Sequence, residues 1–417
     1  MPARRALQPG MPMRPGFLLI TLVALAGCAA QTREPRYPGE PNGSTVQSTS
    51  ESTARPGDNL EQMIEQEDFD LPRALLLFSE KYYPEFGNVR EHEVDIPAKL
   101  KRFDAYVDQL KTALHRDRSP RQRVRTLVDF IHIKLGLRFD QRDAGGENPD
   151  NLFFDRVLQN RYGYCVSLSM AYLVFGQAAG LDVKGIRIPG HFVVAFKDTD
   201  TDGTPYEVII ETTDFGDVRE EAWYWTKYRF SVTSVENGIY LTSLNDREIF
   251  GTLYNNLAGI TYVRGNHEIA IERYTRALEL APNNAECMYN RAIVLRGVDR
   301  DQEALKDLNE AIRLDPNFTL AYIARAGVLW ENGEREPARE DLLEAMRKRP
   351  EWPQPHMLDG MFLFESGQLD EARQAFLKAL ELDPEYKSAH VALAELEEKA
   401  GNTSKSREHA KAAGIIE

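Results

Sequence analysis

The C-terminal part of the chain repeats with a period of 34 residues, and this period limits the possible folds more than any other feature of the sequence. A proline closes each period, and alanines stand twelve and five residues before it. The prolines are Pro282, Pro316, Pro350 and Pro384, and the alanines are Ala270, Ala304, Ala338 and Ala372, then Ala277, Ala311, Ala345 and Ala379. Antiparallel helices approach closely where side chains are only methyl groups, and proline ends a helix because its ring cannot continue one. The period therefore predicts stacked pairs of helices.

The pattern resembles the tetratricopeptide repeat, a helix–turn–helix unit. Position eight of each unit is also small, with Ala258, Ala292, Ala326 and Gly360. We therefore assign residues 251–386 to four stacked repeats. Residues 387–417 keep a small residue at Ala394 but carry Ser406 where the first alanine should stand, and they lack the proline. This segment is predicted to be a degenerate, polar repeat that caps the stack.

The first 28 residues have the pattern of a signal peptide. Arginines precede an apolar run from Phe17 to Ala26 that is short for a membrane span. The run ends in Leu25-Ala26-Gly27-Cys28, which resembles the lipobox of bacterial lipoproteins. The resemblance implies that Cys28 is the first residue of the mature protein and carries the lipid. Met13 serves equally well as the start, and the alternative to a lipobox is an ordinary secretory signal with an incidental cysteine.

The residues after Cys28 predict where the protein is held. Ala29 stands where an aspartate is associated with retention in the inner membrane, so we expect an outer-membrane lipid anchor that faces the periplasm. Residues 29–59 are rich in Pro, Ser, Thr, Gly and Glu and predict a disordered tether. The remaining length is enough for two domains, which we place at 60–245 and 246–417.

Charge and cysteine content narrow the class of protein. A net charge of −14 argues against a nucleic-acid partner. Of the three cysteines, one is assigned to lipid, and Cys287 occupies a small-residue position on a repeat helix, where we expect it to be buried. Nothing in the sequence suggests a disulfide between Cys165 and Cys287.

The domain at 60–245 is predicted to be helical at first and then to form strands. Apolar residues recur at helical spacing up to Leu137, and a further helix begins at Cys165 and ends at Gly180, with an apolar stripe along one face. Three strands separated by turn residues then follow: Val183–Ile188, His191–Phe196 and Tyr206–Glu211. A cysteine at a helix N-terminus thus precedes a small antiparallel sheet that carries a histidine.

That order is the order of the papain-like and transglutaminase-like core. The segments Gly163-Tyr-Cys165-Val-Ser-Leu-Ser-Met-Ala171 and Pro189-Gly-His191-Phe-Val-Val resemble bacterial transglutaminase-like proteins that carry C-terminal tetratricopeptide repeats. The resemblance implies an α+β domain followed by an all-α repeat superhelix, and a site made of a cysteine, a histidine and an acid on the next strand. Glu211 stands where the family usually has aspartate, and Asp214 is the other candidate. Several relatives in this branch lack the cysteine, which this chain has.

The chemistry of such a site explains its residue types. The thiolate is the nucleophile, and a helix N-terminus together with an imidazolium favours it over the thiol. His191 would hold the proton and return it to the leaving amine, and Glu211 would fix the imidazole tautomer. The backbone N–H of Cys165 is a natural oxyanion donor, while Tyr162 and Tyr164 are candidates for a second donor only by proximity.

One segment resembles part of a metal-binding loop. Asp198-Thr-Asp200-Thr-Asp202-Gly203 copies the first half of a calcium loop, but the twelfth position is Ile209 and strands flank it. A polar hairpin turn is the preferred interpretation. The remaining histidines do not have the sequence spacing that is typical of metal ligands, and they are interpreted as surface or packing residues. We therefore expect neither a metal nor another cofactor.

The sequence therefore predicts thiol acyl chemistry on a protein or peptide amide, by hydrolysis, deamidation or transfer to an amine. The repeats would recruit a protein or peptide partner. The competing hypothesis is a scaffold lipoprotein whose transglutaminase-like fold only binds.

Overall fold

The computed structural model describes residues 59–66, 69–86, 94–117, 119–143 and 145–416. The signal peptide, the lipid attachment at Cys28 and the tether up to residue 58 lie outside the described residues, so they stay predictions. Among the residues that are described, no helix is both long enough and apolar enough to cross a membrane.

Six helices precede the sheet. They are α1 (Leu60–Ile64), α2 (Leu71–Tyr82), α3 (Ile96–Leu114), α4 (Pro120–Asp129), α5 (Phe154–Asn160) and α6 (Cys165–Ala178). The helical spacing read from the sequence up to Leu137 is confirmed, because its apolar positions are buried in α2, α3 and α4. A π-helical turn, Phe130–Lys134, continues α4.

Helix α6 lies at the centre of this domain. Every residue from Cys165 to Gly176 is buried, and the helix packs against α3, α5 and two strands of the sheet. The sequence predicted an apolar stripe on one face, whereas the structure buries the helix on all sides. A helix that is apolar all round can only be a core helix, and this one supplies the rigid support for its first residue, Cys165.

The main sheet is antiparallel, with strand order β6-β5-β4-β3-β7. Its strands are β3 (Asp182–Ile188), β4 (His191–Thr199), β5 (Pro205–Glu211), β6 (Asp217–Arg219) and β7 (Ser243–Leu244). The three predicted strands are confirmed as β3, β4 and β5. Two short parallel strands, β1 (Arg138–Phe139) and β2 (Tyr162–Gly163), pair directly before α6.

The C-terminal part is all helical. Two helices lead towards it, α7 (Glu221–Tyr228) and α8 (Val232–Glu236). The repeats are built from α9 (Asp246–Val263), α10 (His267–Leu280), α11 (Ala285–Gly297), α12 (Asp301–Leu314), α13 (Thr319–Glu331), α14 (Arg335–Lys348), α15 (Pro353–Glu365) and α16 (Leu369–Leu382), and the cap from α17 (Lys387–Lys399) and α18 (Thr403–Ala412).

The period of the sequence reappears in these helices. First helices begin at Ala285, Thr319, Pro353 and Lys387, which are 34 residues apart. Each of the eight alanines at the two alanine positions is fully buried, and each proline follows two residues after a helix end. In α18 no residue is buried, as expected of a polar cap. The fold class predicted from the sequence is confirmed.

Contacts between Cα atoms divide the chain into two compact units, with the division between Val294 and Leu295. The described part of the first unit, 59–294, holds the sheet, α6 and the first repeat. Its core joins α2 to α9, where the ring of Phe78 meets those of Phe250 and Tyr254 edge-on. The described part of the second unit, 295–416, contains the later repeats, with core clusters around Leu342 and Phe376.

Candidate active site

Cys165 is held at the first position of α6 by the packing of the residues around it. Strand β2 crosses the start of the helix so closely that a Cβ on Gly163 would lie 2.6 Å from Ser167 Oγ, so only glycine fits there. Ser167 Oγ accepts a hydrogen bond from the Tyr164 backbone N–H at 3.1 Å and donates to the Asn151 carbonyl at 2.5 Å. Cys165 itself is 4% exposed. Its position places the thiol where the helix dipole favours an anion.

Cys287 is the other cysteine of the described residues besides Cys165. Cys287 keeps its thiol, which lies fully buried and donates to the Tyr274 carbonyl at 3.6 Å. No disulfide therefore joins these two cysteines, and the prediction that Cys287 is a core residue is confirmed.

His191 enters the site directly after a tight turn. Ile188 pairs with His191 across the β3–β4 hairpin, so Pro189 and Gly190 are its two central residues. Gly190 has φ +67°, the left-handed conformation that the second central position of a type II turn requires, and proline suits the first. The Pro-Gly pair therefore sets the point at which His191 starts β4.

Glu211, the last residue of β5, is the carboxylate that contacts His191. His191 Nε2 donates to Glu211 Oε1 at 2.6 Å, and the two side chains are 10% and 6% exposed. Thr213 Oγ1 donates to the same oxygen at 2.8 Å. Asp214 instead accepts from Arg219 at 2.8 Å and is 60% exposed. Because Nε2 carries the proton shared with the carboxylate, Nδ1 is the nitrogen that can exchange a proton with a thiol.

The carboxylate of Glu211 is kept ionised despite its burial. Burial by itself raises the pKa of a carboxyl group, but the hydrogen bond and charge of His191 and the hydrogen bonds from Thr213 outweigh it, so the pKa of Glu211 is lowered. An ionised carboxylate stabilises the imidazolium that forms when His191 takes up a proton.

Ser169 connects the three elements that carry the predicted site. Its hydroxyl lies 3.2 Å from the Phe192 carbonyl and 3.1 Å from Thr212 Oγ1. Ser169 is one helical turn after Cys165, about 6 Å along the axis. Phe192 follows His191 directly, and Thr212 follows Glu211. One buried hydroxyl thus ties α6 to β4 and to the end of β5, next to each candidate residue.

The second repeat also contacts the histidine hairpin. Glu286, in the first turn of α11, accepts from the Gly190 backbone N–H at 2.5 Å. Arg187, which is 4% exposed, donates from Nη1 to the Asn283 carbonyl at 3.3 Å. Its burial lowers the pKa of the guanidinium, while the charges of Glu248 and Glu286 act in the opposite direction. The turn before His191 is therefore held by a repeat helix.

A cavity of about 260 Å³ opens beside the site. One wall is the β1–β2 segment that leads into Cys165, and another is the loop after Glu211. Its lining residues are His132, Arg138, Phe139, Asp140, Gln141, Arg142, Tyr162, Thr213 and Phe215. Tyr162 belongs to this wall and is 37% exposed, whereas the Tyr164 hydroxyl is buried without a hydrogen-bond partner among the described residues.

The calcium-like segment forms the hairpin turn between β4 and β5. Asp198 pairs with Arg123 at 2.5 Å, Asp200 accepts from the Thr201 N–H, and Asp202 accepts from the Thr204 N–H. Nowhere in the described part of the chain do three His, Cys, Asp or Glu side chains form a group that could hold a metal ion.

Several residues of the site were missed by sequence reasoning. Thr213 could have been noticed, because it lies between the two carboxylate candidates. Ser169 could also have been found, since it lies one turn after Cys165 on the same helix. Glu286 carried no signal, because the contact that gives it a role is with a distant part of the chain.

Comparisons with protein families agree with this architecture. The model of the transglutaminase-like superfamily matches residues 98–253. Two models of the tetratricopeptide repeat match residues 250–317 and 360–401. A search of curated proteins found no match.

Solved structures that are similar to this chain match about two fifths of its length. MamA from Desulfovibrio magneticus RS-1 is 23% identical over 40% of this chain and 93% of its own, with a TM-score of 0.34. PilF from Pseudomonas aeruginosa is 23% identical over 40% and 77%, with a TM-score of 0.37. YrrB, described as having an unusual peptide-binding site, is 24% identical over 39% and 84%, with a TM-score of 0.31. The chain consists of a transglutaminase-like domain followed by tetratricopeptide repeats.

Proposed function

We propose that reduced Cys165 is the nucleophile of a transglutaminase-like site that acts on protein or peptide amides. The observation that carries the proposal is the buried 2.6 Å hydrogen bond between His191 Nε2 and Glu211 Oε1. Ser169 supports it, because its hydroxyl joins the helix that begins at Cys165 to the two strands that carry this pair.

The reaction follows from these roles. His191 Nδ1 accepts the thiol proton, and the Cys165 sulfur attacks the amide carbonyl carbon. The C–N bond then breaks, and the imidazolium gives its proton to the leaving amine, which leaves a thioester on Cys165. Water resolves the thioester in hydrolysis or deamidation, and a second amine resolves it in acyl transfer. In either case His191 takes a proton from the incoming nucleophile, and the thiol is restored.

Alkylation of Cys165 tests the chemistry. The full chain carrying Cys28→Ser would be reduced, freed of reductant and treated with iodoacetamide from about pH 5 to about pH 9, with peptide-resolved mass analysis. We expect Cys165 to react well below pH ~8.5, the ordinary value for a cysteine thiol. His191→Ala should slow this reaction at mildly acidic pH. Cys287 should react only after unfolding, because its side chain is fully buried.

Two matched variants sharpen the result. Glu211→Gln should slow alkylation less than His191→Ala, because it disturbs orientation without removing the base. Asp214→Asn should leave the rate unchanged, because Asp214 pairs with Arg219 away from the histidine. The enzyme proposal fails if reduced Cys165 resists alkylation in the folded protein, or if its pH profile is the same with and without His191.

We also propose that the protein is an outer-membrane lipoprotein facing the periplasm, with the lipid on Cys28. The support is the sequence of residues 14–29, which lies outside the described part of the chain. Cys28→Ser should abolish lipid attachment and leave an unprocessed precursor. A Cys28→Ser protein that is still lipidated and still fractionates with the outer membrane would contradict the assignment.

A scaffold without catalysis is the second candidate, and two features of the site favour it. Cys165 is 4% exposed, and a longer glutamate stands where the family usually has aspartate. Tetratricopeptide repeats generally mediate protein–protein contacts through extended concave surfaces. Under this candidate, recruitment of a protein or peptide partner by the repeats is the whole function, and the alkylation experiment separates the two.

A further inference from the structure

The cavity beside the candidate site contains a buried histidine whose second nitrogen has no partner. His132 lies on the π-helical turn after α4, an irregularity often found at functional sites. Its Nδ1 donates to the Leu137 carbonyl at 2.8 Å, so the neutral ring presents Nε2 as an acceptor. His132 is 9% exposed, and Nε2 has no hydrogen-bond partner among the described residues. Burial lowers the pKa of His132, which keeps the ring neutral and Nε2 an acceptor.

The same cavity has an excess of positive charge in a chain that is otherwise acidic. Arg142 Nε and Nη2 donate hydrogen bonds to the two carboxylate oxygens of Asp140, at 2.8 and 3.1 Å. The two charges cancel, so this ion pair has no net charge. Arg138 also lines the cavity, and no ion pair or side-chain hydrogen bond joins it to another described residue. One guanidinium therefore remains available to an anionic ligand.

Aromatic rings complete the walls. Phe215 is 65% exposed although its ring is apolar, and its backbone has φ +51°, a conformation that is strained for a bulky residue. The Tyr162 ring lies under the Arg142 guanidinium, 4.9 Å from it. A strained backbone that holds an apolar ring at a cavity is typical of a ligand contact.

We propose that this cavity binds the C-terminal residue of a peptide substrate, with its α-carboxylate on Arg138 and its backbone N–H donating to His132 Nε2. A C-terminal residue offers an anion and a neighbouring N–H donor together, which matches the Arg138 guanidinium and the buried, unpartnered Nε2 of His132. The side chain of that residue would lie against Phe215 and Tyr162.

The position of the cavity links it to the chemistry. Thr213 lines it and also donates to Glu211, while Tyr162 is three residues before Cys165. The cavity therefore shares Thr213 with the His191–Glu211 pair and includes the segment that leads into Cys165. This inference rests on the proposed function and adds a substrate class to it, namely peptides with a free carboxylate close to the amide that reacts.

Binding of two peptides that differ only in charge tests the inference. The full chain carrying Cys28→Ser and Cys165→Ala, which cannot form a thioester, would be titrated by calorimetry with N-acetyl-Ala-Ala and with N-acetyl-Ala-Ala-amide. We expect the free acid to bind about tenfold more tightly or better, as charge-assisted hydrogen bonds allow. Arg138→Gln should remove this preference, and Arg138→Lys should restore part of it because the positive charge returns.

Arg121→Gln is the matched control, because Arg121 is an exposed arginine on α4 outside the cavity. It should leave the preference for the free acid unchanged. His132→Leu should weaken both peptides, since both offer the N–H. The inference is overturned if the free acid does not bind, if acid and amide bind equally, or if Arg138→Gln and Arg121→Gln behave alike. Because the Cys165→Ala protein performs no chemistry, this failure is distinct from a failed alkylation test.

Discussion

The first repeat and the later repeats share one sequence period but pack against different partners. In the first repeat, the Tyr254 hydroxyl donates to Glu61 of α1 at 2.8 Å, and Arg273 pairs with Glu85 after α2. Glu286, on the helix that follows, holds the turn before His191. These contacts bind the first repeat, and the helix that follows it, into the transglutaminase-like domain.

The later repeats are held by contacts between neighbouring repeat helices. Arg325 of α13 makes two hydrogen bonds to Asp341 of α14, at 2.8 and 2.7 Å. The rings of Trp330 and Phe362 stack with their centroids 3.9 Å apart. A repeat period thus defines helix pairs but leaves open what each pair packs against. In this chain the first pair packs against the helices of the transglutaminase-like domain, and the later pairs pack against one another.

The largest loss of folding stability should come from replacing a buried alanine with phenylalanine in each region. Ala270→Phe and Ala338→Phe both place a ring in a fully buried methyl site, and each should destabilise the fold by about 1–3 kcal/mol or more. Ala270→Phe should also slow Cys165 alkylation, because it disturbs α10, whose Tyr274 carbonyl accepts from Cys287 on the helix that contacts the hairpin. Ala338→Phe should not, since the hydrogen bonds described for the site all lie within the first unit. Thermal unfolding and alkylation would be measured on both variants.

Ala412→Phe is the control, because Ala412 is exposed on the cap helix. Its melting temperature should match that of the parent chain. Unchanged melting for both buried variants would contradict the repeat register. Equal alkylation rates for the two would remove the distinction between the first repeat and the others.

A smaller effect, dependent on pH, is expected at Glu211. Its pKa is lowered in the folded protein, so its ionised form stabilises the fold above its unfolded-state pKa of about 4.3. That contribution is lost as the pH falls through the lower folded-state value. Denaturant unfolding should therefore show the parent chain more stable than Glu211→Gln near neutral pH, with a difference that shrinks below about pH 4.3. A difference that grows on acidification would show that the sign is wrong.

The smallest change, a decrease in the rate of Cys165 alkylation, should come from Glu286→Gln. Gln keeps the shape and an acceptor oxygen for the Gly190 N–H, so only the charged character of the bond is lost, and the backbone pairing of β3 with β4 still holds the hairpin. Cys165 alkylation should slow measurably but less than in Glu211→Gln. Glu340→Gln, on the exposed face of α14, should have no effect. Identical rates for the two variants would mean that the repeat helix does not position His191.

Much of this protein could be predicted from local sequence. The helix pairs follow from alanines and prolines 34 residues apart, because close approach and helix ending depend on residue type at fixed spacing. The strands and the helix that begins at Cys165 follow in the same way from apolar periodicity and turn residues. The turn at Pro189-Gly190 fixed where the histidine strand starts.

What only the tertiary structure decided depends on residues far apart in the chain. The sequence named Glu211 as the candidate acid and Asp214 as the fallback, and in the fold Glu211 contacts the buried His191 while Asp214 stays at the surface with Arg219. Glu286 accepts a hydrogen bond from Gly190, which lies 96 residues earlier in the chain. The cavity combines the π-helical turn after α4, β1, β2 and the loop after β5. Local propensity cannot specify these tertiary contacts. They form when separate elements bury their apolar faces together, because this brings polar groups at the edges of the elements into contact.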